Sequence, residues 1–230
     1  MMQRPGPVVM NLLIINGLVF LATMMYPQWM DLFAIHYWDS PRFYPFQIVS
    51  AMFTHGGIIH LLLNMMGLYF LGQYMEYVWG PKRFLRFYLV AGLGAGLFTM
   101  LLQTIVVLAF NGGSPVAPEV AEVIARTNTT PWQEIVNRTH PRVWDIYRFS
   151  GVGASGALFG VLMAFGLRFP HVQLQLLFPP IPVKAQTMVY VLSGVSVIGI
   201  VVPGFLSGIG HMTHLGGLVV GYIYLAYFDR

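Results

Sequence analysis

The sequence predicts an all-α membrane protein: a bundle of six transmembrane helices with N- and C-termini on the cytoplasmic side. Three observations carry that expectation. First, 57% of the 230 residues are hydrophobic and 9% are charged, against about 45–50% and about 25% in soluble domains. One soluble core has no room for that excess. Second, the apolar residues collect into six runs near the roughly 20 residues that a helix needs to cross a bilayer. Third, Lys and Arg in the short connections are unevenly shared. One side holds Arg4, the Lys82/Arg83/Arg86 cluster, Arg168, Lys184 and Arg230, while the opposite short connections hold Arg42. The positive-inside rule makes the first side cytoplasmic. Absence of cysteine excludes disulfides, thiolate metal sites and a cysteine nucleophile. The net charge of +4 is spread without a dense basic run, so nucleic acid is not a partner.

The whole chain, 1–230, reads as one transmembrane domain with spans at 8–25, 53–78, 84–110, 151–169, 183–202 and 209–228. The first run is not followed by small residues at a cleavage-like position, so it reads as a retained span. It stops before Pro27, and the connection after it carries Trp29, Trp38, Pro41, Phe43, Tyr44, Pro45 and Phe46. Aromatic rings of this kind settle at the headgroup level, so this connection belongs in the membrane interface. The second run ends at Gly80-Pro81, and the third contains Gly92, Gly94 and Gly96, which permit close helix packing. Residues 111–149 form the one long polar stretch, an outer loop with four acids and four bases. A short helix over 117–126 is expected there. Asn128-Thr129-Thr130 and Asn137-Arg138-Thr139 match an N-glycosylation pattern, which carries meaning only in a eukaryotic secretory setting. Size and minimal termini suggest a bacterial inner (cell) membrane.

The fourth run opens with Gly151-Val152-Gly153-Ala154-Ser155-Gly156-Ala157-Leu158-Phe159-Gly160. Four glycines in ten residues weaken a helix by roughly 1 kcal/mol each relative to alanine, so something must approach this backbone closely. Spans two, four and six all begin at the outer face. His60, Asn64, Ser155 and His214 therefore lie at one depth, roughly 5–15 Å below the outer surface at 1.5 Å per residue. A serine needs a base within hydrogen-bond reach to act as a nucleophile, and histidine is the usual one. Gly156-x-x-x-Gly160 and Gly217-x-x-x-Gly221 let the two helices approach closely enough for Ser155 to meet His214. No acid shares that depth, so a Ser–His dyad is expected, with Phe159 stacked on the imidazole in place of a third member. His60 and Asn64, four residues apart, face the same way and, with the Ser155 backbone N–H, make a plausible oxyanion site.

His55, His60, His211 and His214 do not read as a metal site: no carboxylate joins them and no H-E-x-x-H motif is present. No cofactor is expected. His55 reads as bonding loop backbone, and His211 as a loop-end histidine bonding water or backbone. His36, His140 and His171 read as ordinary surface residues. Glu76 reads as bonding neighbouring backbone near the inner interface.

Thr54-His55-Gly56-Gly57-Ile58-Ile59-His60 through Asn64, Gly153-Ala154-Ser155-Gly156 through Gly160, and His214-x-x-Gly217-x-x-x-Gly221 together resemble the rhomboid intramembrane serine proteases. Pro41-Arg42-Phe43 through Gln47 and Glu76-x-x-x-Gly80 resemble further positions of that family. The resemblance covers nearly the whole chain. It implies a six-helix rhomboid-like bundle with a water-filled cavity open to the outer side, and a Ser155/His214 dyad. It also implies an oxyanion and substrate-binding site at His60, Asn64 and Gly153. Substrates would be single-pass transmembrane proteins, cut near the outer end of their helix after entering from the bilayer beside span five. Two features depart from the family pattern: Thr213 stands where a small residue often precedes the histidine, and the third loop is long. The runner-up reading is a non-catalytic rhomboid-like protein that binds membrane helices. A small channel or metal-dependent membrane enzyme using the histidines is a third.

Overall fold

A computed structural model describes residues 5–115, 117, 140–176, 179–202, 205–206 and 208–228. The short helix expected over 117–126 falls almost entirely outside these residues. Both Asn-x-Thr sequences, Arg4 and Arg230 lie outside them altogether. The described chain is mostly helical. Helix α1 (Pro7–Met25) leads to the short α2 (Gln28–Phe33) and α3 (Gln47–Ser50), the latter extended by a 3₁₀ turn at Ala51–Phe53. Helices α4 (Ile58–Gly67) and α5 (Gln73–Trp79) are joined by a π-helical turn at Leu68–Gly72, and α6 (Pro81–Phe110) follows. Then come α7 (Pro141–Arg148), α8 (Ser155–Arg168), α9 (Ala185–Val201) and α10 (His211–Phe228).

Among the described residues, three helical segments are long and apolar enough to cross a membrane: Pro7–Met25, Ile58–Trp79 and Pro81–Phe110. Helices α8 and α9 are apolar but shorter. The second expected span began at residue 53, whereas the chain stays non-helical from Thr54 to Gly57 and starts its helix at Ile58. Besides the short α2 and α3, two further elements have no counterpart in the apolar runs. One is α7, inside the polar outer loop. The other is an antiparallel hairpin, β1 (Gln173–Gln175) and β2 (Pro182–Lys184), which pairs Gln173 with Lys184 between α8 and α9.

Helix α1 begins with proline, whose missing N–H is harmless at that position. The next two donors, Val8 N–H and Val9 N–H, point at the Glu76 carboxylate and donate to its two oxygens at 2.9 and 2.8 Å. Glu76 is only 3% exposed. Its charge is matched by two backbone donors and by the positive end of the α1 dipole. This accords with the expectation of backbone bonding, but the partner helix is 67 residues away. Glu76→Ala leaves both donors buried without an acceptor. The expected result is a loss of about 2–3 kcal/mol, read as a lower unfolding midpoint in detergent, and Glu76→Gln should retain part of it. The chain then turns at Gly80, whose φ of +77° falls where a side chain is disfavoured, and re-enters helix at Pro81.

The centre of the bundle is the triple of α6, α8 and α10. A Cβ placed on Gly156 would come within 2.8 Å of the Ala95 Cβ, and one on Gly160 within 2.5 Å of the Ala91 Cβ. On the other flank, Gly217 lies against the Gly156 carbonyl and Gly221 against the Gly160 backbone. The pairing of 156 with 217 and 160 with 221 makes α8 and α10 parallel, with their N-termini at one end. Without side chains at these crossings the helix axes approach to backbone contact.

Candidate active site

Ser155 is the first residue of α8, and His214 is the fourth of α10. The glycine-lined crossing brings them together: His214 Nε2 lies 3.0 Å from Ser155 Oγ. For this nitrogen to take the hydroxyl proton, Nδ1 must carry the ring proton. Phe159, one helical turn after Ser155, stacks on the imidazole with ring centroids 4.0 Å apart and planes 12° from parallel. Among the described residues no carboxylate bonds His214, so orientation comes from the stacked ring and from α10 itself. Both Ser155 and His214 are partly exposed, so neither is sealed in the core.

The chain leading into α8 holds an unusual conformation. Gly153 has φ +121°, and a Cβ there would sit 2.7 Å from His60 Nε2 and 3.6 Å from Asn64 Nδ2. Glycine is thus required twice, for the dihedral and for the space. His60 and Asn64 lie on the first two turns of α4, facing this backbone, and Asn64 Nδ2 donates to the His60 carbonyl at 3.0 Å. The Asn64 amide has a second N–H beyond the one this bond uses. The Ser155 N–H belongs to the first turn of α8, where backbone donors lack intrahelical partners. His60 and Asn64 thus flank the backbone two residues before Ser155.

His55 is fully buried and its Nε2 accepts from the Ala154 N–H at 3.4 Å. Its ring meets that of His60 edge-on, 5.1 Å between centroids. His211 is buried, with Nε2 3.1 Å from the Phe205 carbonyl. Both histidines bond backbone, as their positions suggested. Among the described residues there is no group of three or more His, Cys, Asp or Glu placed to hold a metal ion. His140 caps α7, accepting from the Arg142 N–H.

His36 corrects the sequence reading. It was expected at the surface, but it is 1% exposed and both ring nitrogens are engaged. One partner, Asp31, is five residues away, but the other, the Phe149 carbonyl, is 113 residues away and no local pattern announces it. Thr213 was legible only as a departure from a family pattern. Its hydroxyl lies 3.0 Å from that of Thr99 on α6. Thr99 already donates to the Ala95 carbonyl at 2.9 Å, so Thr213 is the donor. This bond pins α10 one residue before His214.

Residues 42–230 match the rhomboid domain, and the chain belongs to the rhomboid family. Among its relatives, RHOMBOID-like protein 12, mitochondrial, of Arabidopsis thaliana is 28% identical over 94% of this chain and 56% of its own length. Rhomboid protease AarA of Providencia stuartii is 24% identical over 74% of this chain and 51% of its own. Inactive RHOMBOID-like protein 8 of Arabidopsis thaliana is 36% identical over 24% of this chain and 16% of its own. The chain thus spans about half the length, or less, of the curated relatives it matches. The family contains proteins named as proteases and proteins named as inactive, so membership alone does not decide activity.

Proposed function

We propose that the chain is an intramembrane serine endopeptidase of six transmembrane helices with cytoplasmic termini, acting on single-pass membrane proteins. The observation that carries this reading is the 3.0 Å approach of His214 Nε2 to Ser155 Oγ, with the Gly153, His60 and Asn64 group beside it. Ser155 Oγ attacks the scissile carbonyl while His214 takes its proton. The tetrahedral intermediate places its oxyanion against the Ser155 N–H, Asn64 and His60. The imidazolium then protonates the leaving amine, and water, deprotonated by the same ring, hydrolyses the acyl-enzyme.

The substrate class follows from where the dyad sits. A recess within a bundle of apolar helices excludes a folded soluble protein and admits an unwound stretch of a neighbouring helix. Small residues should surround the cut, because a helix must unwind to present its peptide bond. The membrane itself is a separate matter. A bacterial cell membrane gains no support from the relatives, one of which is named mitochondrial.

The test uses purified protein in liposomes with a single-pass substrate and mass spectrometry of the products. A cut near the outer end of the substrate helix is expected. A substrate that binds yet stays intact would favour the non-catalytic, helix-binding alternative, in line with the relative named inactive. A second prediction concerns the oxyanion site: Asn64→Ala should lower kcat by about 10²- to 10³-fold and leave KM nearly unchanged, as measured by steady-state kinetics. A kcat within a factor of two of the parent removes Asn64 from the mechanism.

A further inference from the structure

Three helices meet one residue away from Ser155 and His214. Thr213 of α10 turns its methyl to α8 and its hydroxyl to α6. A Cβ on Gly156, the residue after Ser155, would come within 3.0 Å of Thr213 Cγ2 and 2.8 Å of the Ala95 Cβ. The Thr213 hydroxyl lies 3.0 Å from that of Thr99, which donates onward to the Ala95 carbonyl at 2.9 Å. Thr213, Gly156 and Ala95 thus form one layer, and the dyad residues adjoin it in sequence on α8 and α10.

The direction of the Thr213 bond sets it apart. Thr23, Thr99, Thr104 and Ser196 each donate to a carbonyl three or four residues earlier, as helical hydroxyls commonly do. Thr213 reaches to another helix instead. The neighbouring positions on its face of α10, Gly216 and Val220 at i+3 and i+7, touch α6 by packing. A Cβ on Gly216 would meet the Phe98 Cβ at 3.0 Å, and a Cβ on Gly94 would meet Val220 Cγ1 at 2.6 Å. Such contacts hold the helices close but are weakly directional. A hydrogen bond fixes an angle as well as a distance.

That angle bears on the dyad. Thr213 and His214 are consecutive in one helix, so a rotation of α10 that parts the two threonine hydroxyls carries the imidazole with it. A side-chain tip lies about 5–6 Å from the helix axis, so a turn of about 10° moves it about 1 Å. Misplacement of that size is worth about 10²-fold in rate.

We propose that Thr213 is a positioning residue for catalysis. Its hydroxyl, held by Thr99, fixes the rotation of α10 and so keeps His214 Nε2 on Ser155 Oγ. Thr213 itself touches no reacting atom. The inference rests on the serine-protease reading above, and it gives a use to the residue that departs from the family pattern beside His214.

The experiment compares the full chain with Thr213→Val, Thr213→Ser, Thr99→Val and the Thr99→Val/Thr213→Val double variant in liposomes. It reads kcat and KM per folded protein, the rate of fluorophosphonate labelling, and the unfolding midpoint. Thr213→Val keeps the branched shape and removes the donor. Its kcat and labelling rate are each expected to fall about tenfold, as a displacement of about 0.5 Å implies, with KM unchanged. Thr213→Ser keeps the donor and should stay within about twofold of the parent in both. The double variant should be no slower than the slower single one, because both changes remove the same bond. A folded Thr213→Val protein with parental kcat overturns the proposal. So does a Thr213→Ser protein as slow as Thr213→Val, which would assign the effect to the methyl, and so do losses that multiply in the double variant. If neither Thr213→Val nor Thr99→Val folds, the bond is structural and the positioning role is overturned as well. Failure of the wild type to take the label would instead overturn the protease reading.

Discussion

Ser155→Ala and His214→Ala are each expected to reduce peptide hydrolysis by about 10⁴- to 10⁶-fold while leaving the fold intact. The two residues act as one unit. Without the imidazole the hydroxyl keeps its proton, and without the hydroxyl the imidazole has nothing to activate. Their effects should therefore not add, and the double variant should be no slower than either single one. Neither side chain carries much of the packing. Both are partly exposed, and the α8–α10 contact is made by glycine backbone. Unfolding midpoints should stay within a few degrees of the parent. Additive losses would mean that the two groups serve separate steps, and an unchanged rate in either variant would remove the dyad.

The second large effect is expected from Gly217→Val. A Cβ at this position falls inside the contact radius of the Gly156 carbonyl oxygen and 3.2 Å from the Phe159 Cβ. The first obstacle is main chain in the first turn of α8, so no rotamer change relieves it. Helices α8 and α10 must separate, at about 3 kcal/mol or more of stability. The 3.0 Å dyad spacing lengthens with them, and about 1 Å of misplacement is worth about 10²-fold in rate. Both a lowered unfolding midpoint and a collapse of kcat are expected. Gly17 offers the control, because a Cβ there meets nothing within 4 Å, so Gly17→Ala should leave kcat unchanged and, inside helix α1, should raise the unfolding midpoint if it moves it at all. A Gly217→Val protein with parental activity would contradict the close crossing.

Much of this site was legible because it depends on depth and spacing. The apolar runs placed Ser155, His214, His60 and Asn64 at one level. The glycine pairs at 156/160 and 217/221 marked the crossing that joins two of them, and the Phe159 stack followed from helical periodicity. Helix positions were legible for the same reason: α1, α6, α8, α9 and α10 each begin and end within a few residues of an apolar run. The second run, placed from residue 53, starts too early: His55-Gly56-Gly57 reads as a turn or helix entry, and the helix begins after it at Ile58. What stayed hidden depends on contacts distant in sequence. Helix α7 is amphipathic and forms by burying Val143, Trp144, Ile146 and Tyr147 against the rest of the fold. The β1–β2 hairpin has no alternation long enough to detect. His36 looked like a loop residue because its two acceptors are set by the fold, one of them 113 positions away. Glu76 could be assigned a backbone partner but not the N-terminus of α1.

The most direct measurement is the site and rate of modification by a fluorophosphonate, which reacts with a serine only when a base has activated it. Peptide mapping of the labelled wild-type protein should place the adduct on Ser155. His214→Ala should slow labelling by several orders of magnitude, and heat-unfolded protein should not react. An adduct on any other residue, or labelling that proceeds unchanged without His214, would contradict the account.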